Sequence, residues 1–128
     1  MLKTNEICLH YGSSQILYNI SIEAMIGEIT CLMGSNGVGK TSLLKVLSGN
    51  HPSSSGNYIL NEKDVTNFEA HKLASRGVGY VPQGRFIFPL LTVEENLMSG
   101  FVVLKKVERY IPKLIYELFT VLKKMLSR

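Results

Sequence analysis

A glycine-rich segment, GSNGVGKTSL at residues 34–43, contains the residue types that bind phosphate groups. Gly34, Gly39, Lys40 and Thr41 satisfy the pattern G-x-x-x-x-G-K-[S/T]. Glycines let backbone amides curve around phosphate oxygens without Cβ clashes, and the amino end of a following helix adds unpaired N–H donors. The lysine would neutralise the β and γ phosphates, and the threonine hydroxyl would ligate Mg²⁺. The segment therefore predicts a site for a nucleotide triphosphate.

The loop alone does not select one class of nucleotide-binding protein, since GTPases and small-molecule kinases use the same pattern. A GTPase would need a DxxG turn and an NKxD segment, and NEKD at residues 61–64 resembles the latter only in composition. A kinase should add several arginines for the transferred phosphoryl group, but only Arg76, Arg85, Arg109 and Arg128 exist. A small P-loop kinase is thus a weaker alternative. A non-catalytic nucleotide-binding or interaction fragment is another.

The elements around the loop fit the strand–loop–helix order that such a motif requires. ITCLMG at residues 29–34 is a continuous apolar run, which predicts a central strand covered on both faces. A helix is predicted over residues 40–47, because Gly49 can end it with a positive φ. Further β-like segments are predicted at residues 7–9, 16–25, 58–60 and 77–81.

Two more helices are predicted downstream of the loop, and a shorter one between them and the phosphate site. Thr92 and Glu95 fit a capping box that begins a helix through Met98. Asn67 is expected to cap a short helix through Ser75. An apolar stripe at helical spacing predicts one amphipathic helix near the carboxyl end: Ile111, Leu114, Ile115, Leu118, Val121, Leu122 and Met125.

Composition narrows the function further. The 128 residues are 45% hydrophobic and 19% charged, as is ordinary for one globular domain. Cys8 and Cys31 lie in apolar segments far from CxxC spacing, so both are expected to be buried thiols. No signal peptide or membrane-spanning run is present, which predicts a soluble chain in the cytoplasm. The net charge of +4 comes from the tail beyond residue 100, so no nucleic-acid surface is predicted.

Three segments together resemble the ATP-binding subunit of an ABC transporter: YGSSQIL, GSNGVGKTSLLKVLSG and GVGYVPQGRFIFPLLTVEENL. The likeness runs from residue 8 to residue 98, with a looser match at residues 115–126. VPQGRFIFPLLTVEENL is similar to subunits of branched-chain amino acid and urea uptake systems, and its glutamine favours the urea type. The tail departs from the pattern at Lys113 and Thr120, where acidic residues and proline are expected.

The resemblance implies a role for each matching residue. Tyr11 matches the aromatic residue that stacks on adenine. Gln83 matches a glutamine that contacts Mg²⁺ and the attacking water, and its loop contacts the membrane partner. Thr41 would be the other Mg²⁺ ligand. The ATP phosphates would be held by nine consecutive residues: Gly34, Ser35, Asn36, Gly37, Val38, Gly39, Lys40, Thr41 and Ser42.

The parts of the family's machinery that activate water have no counterpart in this sequence. These are the strand ending in a Mg²⁺-associated aspartate, the catalytic glutamate, the γ-phosphate-sensing histidine and the LSGGQ signature. We therefore expect an amino-terminal half, truncated before the signature, that binds Mg-ATP but does not hydrolyse it alone. The missing groups supply most of the charge stabilisation in phosphoryl transfer.

The predicted fold is the α/β P-loop nucleotide triphosphatase fold of the ABC ATPase type, amino-terminal part only. Residues 1–100 would form part of the core domain, with the Walker A loop, the Q-loop and a small antiparallel β layer. Residues 101–128 would begin the helical subdomain with a basic amphipathic helix. The expected partners are a second ATP-binding subunit, arranged head to tail, and transmembrane permease subunits. The whole would lie on the inner face of the cell membrane and drive solute import.

Overall fold

The computed structural model describes residues 1–84, 86–101, 104 and 108–127 of the chain. These residues form two compact units, Met1–Gly79 and Tyr80–Arg128, and each is described by itself. Arg85 of the Q-loop segment and the basic residues Lys105, Lys106 and Arg128 of the tail lie outside the described residues. The division at residue 100 that the family resemblance implies stays a prediction.

The first unit is built on a four-stranded antiparallel sheet. Its strands are β1 (Leu2–Tyr11), β2 (Ser14–Ala24), β3 (Ser55–Leu60) and β4 (Lys63–Asp64), in the order β2-β1-β3-β4. A two-residue turn joins the long strands β1 and β2 into a hairpin, so that Tyr11 faces Ser14 at its tip. The sheet confirms the predicted antiparallel β layer, and its strands are longer than the sequence pattern indicated.

Bulges or irregularities interrupt the pairing of β1 with β2 between Thr4 and His10, and with β3 between Asn5 and Cys8. Glu6 and Asn19 have φ of 49°, which places two non-glycine residues in the left-handed region. Buried side chains replace ladder hydrogen bonds there: the Thr4 hydroxyl donates to the Ile20 carbonyl at 3.1 Å and accepts from the Ile22 amide at 3.0 Å. The Cys8 thiol donates to Asn19 Oδ1 at 3.0 Å. Cys8 is therefore a structural thiol, as predicted.

One face of the sheet is covered by two helices, α1 (Lys40–Leu47) and α2 (Ala70–Ala74). The predicted boundaries of α1 are confirmed. α2 begins after Glu69 and not at Asn67, whose side-chain oxygen instead accepts from the Ser53 amide at 2.7 Å. The hydrophobic core between sheet and helices comprises Ile7, Leu9, Leu17, Leu43, Val46, Leu47, Tyr58, Val65 and Leu73.

Two segments predicted as strands do not form strands. Residues 29–34 and 77–81 carry no ladder pairing, and apolar side chains in both are exposed: Ile29 is 100% and Val81 93% accessible. Cys31 is exposed as well, so its prediction as a buried thiol was wrong. A strand needs a hydrogen-bonding neighbour. The described residues offer none to either segment.

The first helix of the second unit is α3 (Val93–Ser99), which has the predicted capping box. The Thr92 hydroxyl accepts from the Glu95 amide at 3.2 Å, and Glu95 Oε2 accepts from the Thr92 amide at 2.8 Å. The backbone hydrogen bond from Thr92, followed by that from its hydroxyl, lowers the pKa of the Glu95 carboxyl. The start of α3 is thus fixed by two reciprocal bonds.

The amphipathic stripe at the carboxyl end forms two short helices, α4 (Lys113–Leu118) and α5 (Thr120–Lys124), and not one. Phe119 separates them with φ −124° and ψ 69°, outside the helical region. Phenylalanine and the next two residues, Thr120 and Val121, are weaker helix formers than leucine or lysine. Over the described part of the chain, helices are too short or too polar to span a bilayer.

Candidate functional site

The phosphate loop lies against β2 at the start of α1. Gly39 caps the helix with φ 99°, and its carbonyl accepts the Leu43 amide at 2.9 Å. A Cβ at Gly39 would lie 2.8 Å from Leu17 Cδ2 and 3.3 Å from the Ile16 carbonyl oxygen. Glycine is required here both for its backbone conformation and for this close approach. The loop is consequently pressed onto the sheet at its last glycine, while residues 35–38 are exposed.

The Lys40 side chain bonds back to the first residues of the phosphate loop. Its ammonium donates to the carbonyl oxygens of Gly34, at 2.7 Å, and Ser35, at 2.6 Å. These two bonds hold one positive charge against the first two residues of the loop and leave the third ammonium proton for another acceptor. Thr41 follows on the exposed side of α1, and Ser42 is half-buried. The donor set is that of an anion site, with a cation, loop amides and a helix amino terminus.

Tyr11 lies in the same unit as the loop, at the tip of the β1–β2 hairpin. Its partner Ser14 is two residues from Ile16, which contacts Gly39, so the strand rise places the tip about 7 Å from that contact. The Tyr11 side chain is 40% exposed. The structure therefore brings together the predicted adenine-stacking residue and the predicted phosphate loop, although the stacking role itself stays a prediction.

Gln83 belongs to the second unit, so its predicted contact with Mg²⁺ stays a prediction. Its side chain is exposed, and an exposed apolar loop follows it. Leu90 is 96% accessible and Phe86 76%. The loop, α3 and the α5 segment line an open groove of about 630 Å³ whose surface is mostly apolar. The residues of this groove are Phe86, Ile87, Phe88, Pro89, Leu91, Val93, Asn96, Leu97, Ser99, Leu122 and Met125.

Asn96 holds the loop in place, a role that the sequence pattern did not predict. Its Oδ1 accepts the Phe88 amide at 2.8 Å, and its Nδ2 donates to the carbonyls of Phe88, at 3.0 Å, and Leu91, at 3.1 Å. One side chain thus uses both of its polar atoms on the loop. The available signal was a polar residue on α3 one turn after the capping threonine.

Replacing Asn96 with alanine should loosen the loop without unfolding α3. Loss of these bonds should raise hydrogen exchange at the Phe88 amide by about tenfold, since each net bond contributes about 1 kcal/mol. Exchange measured by NMR or mass spectrometry tests this. Ser99→Ala is the matched control, because among the described residues its hydroxyl bonds within α3, to the Asn96 carbonyl at 2.7 Å. Equal exchange of the Phe88 amide in the two variants would contradict the role of Asn96 in holding the loop.

The described residues contain no group of three or more His, Cys, Asp or Glu side chains placed to hold a metal ion. A Mg²⁺ ion bound with a nucleotide does not need such a group, because phosphate oxygens and waters supply most of its ligands. Thr41 is exposed beside the loop, where its hydroxyl can reach such an ion. Thr41 and Gln83 stay the predicted protein ligands.

Comparison with known proteins places this site in a family. The profile of the ABC transporter family matches residues 17–126. The high-affinity branched-chain amino acid transport ATP-binding protein BraG of Pseudomonas aeruginosa is 37% identical over 102 residues, which are 79% of this chain and 44% of BraG. The lipopolysaccharide export system ATP-binding protein LptB of Escherichia coli K12 is 35% identical over 98 residues, 77% of this chain and 41% of LptB.

Solved structures agree with the sequence comparison. MJ1267, an ATP-binding cassette of an ABC transporter in its ADP conformation, matches with a TM-score of 0.76 and 29% identity, over 100% of this chain and 56% of MJ1267. The chain thus spans less than half the length of the two curated relatives. The predicted fold class is confirmed as the amino-terminal part of an ABC ATPase cassette. On the loop geometry, the profile match and these structures, the chain belongs to the ABC transporter family, as part of its ATP-binding cassette.

Proposed function

We propose that this chain is the nucleotide-holding part of an energy-coupling subunit of an ABC-type solute importer. The observation that carries the proposal is the Lys40 ammonium, held by the Gly34 and Ser35 carbonyls over a loop at the start of α1. A preorganised cation beside loop amides and a helix amino terminus fits the charge of a triphosphate. The nucleotide would be ATP, held by residues 34–42, with Tyr11 stacked on the adenine.

Mg²⁺ would accompany the nucleotide and neutralise part of its phosphate charge. Thr41 is its proposed ligand from the loop, and Gln83 stays the second protein ligand that the family resemblance implies. A glutamine side chain can exchange one hydrogen bond for another without changing charge, which suits a residue that contacts both Mg²⁺ and water. The exposure of Thr41, one residue beyond Lys40, supports its assignment.

The groove beside the Q-loop is the surface that we propose for a permease subunit. Its apolar lining and the exposed Phe86, Ile87 and Leu90 would otherwise leave a large hydrophobic patch in water. An apolar cytoplasmic helix of a membrane subunit would cover that patch, with Asn96 holding the receiving loop. This contact would place the chain on the inner face of the cell membrane. A second ATP-binding subunit, arranged head to tail, is the other proposed partner.

Two candidates are proposed for the transported solute. Similarity to BraG supports a branched-chain amino acid, and the VPQ glutamine of the Q-loop motivates urea as the other candidate. LptB, at nearly the same identity, serves lipopolysaccharide export. Identity in this half of the cassette therefore does not track the cargo. The cargo would be read by the permease, which the loop at residues 86–91 would contact.

The purified 128-residue chain should bind Mg-ATP and not turn it over. Isothermal titration calorimetry should show saturable binding at one site, and phosphate release should stay at the level of a protein-free control. The physical reason is that the phosphate-binding groups are present, while the catalytic glutamate and the LSGGQ signature that the family resemblance implies have no counterpart in the sequence. Steady ATP turnover that Lys40→Ala abolishes would contradict the expected lack of hydrolysis. Absence of Mg-ATP binding would contradict the proposed nucleotide site.

A further inference from the structure

His51 forms a ring pair with Tyr11, the residue proposed to stack on adenine. The ring centroids are 4.8 Å apart and the planes meet at 78°, an edge-to-face arrangement. The Tyr11 side chain is 40% exposed and His51 is half-buried. A partly exposed tyrosine at a hairpin tip would otherwise sample several rotamers. The contact with His51 therefore limits the orientations of the Tyr11 ring.

The His51 ring is itself held in place. Its backbone amide donates to the Lys45 carbonyl in the last turn of α1, at 3.2 Å. Its Nδ1 lies 2.8 Å from the Pro52 carbonyl oxygen. A carbonyl oxygen only accepts, so Nδ1 carries the proton and donates in this bond. The imidazole is thus fixed from the backbone side and from one ring nitrogen.

The segment that carries His51 is also tied to β1. The Ser54 amide donates to the Cys8 carbonyl at 2.8 Å, and the His10 amide donates to Ser54 Oγ at 3.0 Å. His51 and Tyr11 are therefore held on one framework of strand, loop and helix. The helix rise from Lys40 to Lys45 is about 7.5 Å and the strand rise from Ile16 to Ser14 about 7 Å, so both place the residues that carry the ring pair on the order of 7 Å from the phosphate loop. That separation suits the base of a nucleotide whose phosphates lie on the loop.

We propose that His51 is a positioning residue for the nucleobase. It holds the Tyr11 ring in one orientation before the nucleotide arrives, so that stacking does not have to order that side chain. This inference rests on the proposed function, because it assumes that the base stacks on Tyr11. Immobilising a side chain on binding weakens affinity, and preorganisation removes that cost.

A comparison of two ligands distinguishes positioning of the nucleobase by His51 from a general effect of His51 on the structure. Mg-ATP has a base, and inorganic Mg-tripolyphosphate has the phosphates alone. By calorimetry, His51→Ala should weaken Mg-ATP binding about fivefold and change Mg-tripolyphosphate binding by less than about twofold. His51→Phe should restore Mg-ATP binding, because phenylalanine keeps an aromatic ring. In a Tyr11→Ala background, His51→Ala should cause no further loss.

Three results would overturn the inference. These are unchanged Mg-ATP binding in His51→Ala, equal weakening of both ligands, and a further loss on top of Tyr11→Ala. If the unchanged chain binds Mg-ATP and Tyr11→Ala loses that binding, such a result removes the role of His51 alone. If the unchanged chain binds no Mg-ATP, or Tyr11→Ala binds it as well as the unchanged chain does, the proposed function of the site fails and the inference with it.

Discussion

Replacing Lys40 with alanine should weaken Mg-ATP binding by about 100-fold. The ammonium is the cation that the structure holds over the loop, with Nζ 2.7 Å and 2.6 Å from two loop carbonyls. A hydrogen bond to a charged group contributes about 1.5–3 kcal/mol, and tenfold in affinity corresponds to about 1.4 kcal/mol. Mg-tripolyphosphate should lose affinity by a similar factor, because the lost contact is with phosphate. The expected response thus differs from that of His51→Ala.

The stability of the chain should change little in the same variant. Within the part of the chain that the structure describes, Lys40 donates to exposed loop carbonyls, which water can satisfy after the substitution. Urea titration should therefore give an unfolding free energy within about 1 kcal/mol of the unchanged chain. Lys45→Ala is the matched control, since Lys45 is an exposed lysine in the last turn of the same helix. Equal losses of affinity in the two variants would show that general charge, and not the position of Lys40, governs binding.

The phosphate loop was predictable because its signals are local. Gly39, Lys40 and Thr41 have fixed spacing, and the glycine is needed by the backbone of this segment itself. The α1 boundaries and the Thr92 capping box were predicted for the same reason, since each depends on residues within one or two turns. Tyr11 was located by family resemblance, and the hairpin then placed it near the loop.

Contacts between distant segments were not predictable from the sequence. His51 meets Tyr11 from a distant part of the chain, and no motif marks either residue as the other's partner. Asn96 is an ordinary helix residue until the loop folds back onto it. The bulges in β1 also escaped prediction, because alternating hydrophobicity specifies the face of a strand but not an inserted residue.

Apolar runs misled the prediction at residues 29–34 and 77–81. Each pattern is typical of a buried strand, but strand formation also requires a neighbour to receive its amides and carbonyls. Ile29 at 100% exposure and Met33 at 84% show the result in this chain. Hydrophobicity read along one segment reports what that segment would bury, and not what is available to cover it.

The bulge in β1 makes one glycine of β3 as sensitive as the phosphate loop. Gly56 has φ 87°, and a Cβ there would lie 2.4 Å from the Glu6 carbonyl oxygen and 2.6 Å from that of Asn5. Both obstacles are backbone atoms of the bulged strand, so no side chain can rotate away to make room. The shift between Asn5 and Cys8 in the β1–β3 register lies at this point. A methyl group would force β1 and β3 apart.

Gly56→Ala should therefore lower the unfolding free energy by about 4 kcal/mol, combining left-handed strain with backbone overpacking. That is a large share of the stability of a small domain. Gly77→Ala is the matched control, since Gly77 has φ 89° but no atom of the described residues lies within 4 Å of the position that an alanine methyl group would take there. It should show the strain alone, about 1 kcal/mol. Urea unfolding followed by circular dichroism measures both.

A difference below about 1 kcal/mol between the variants would show that β1 and β3 separate at little cost. In that case the sheet would not hold Tyr11 and His51 rigidly, since both are carried on these strands and their connection to α1.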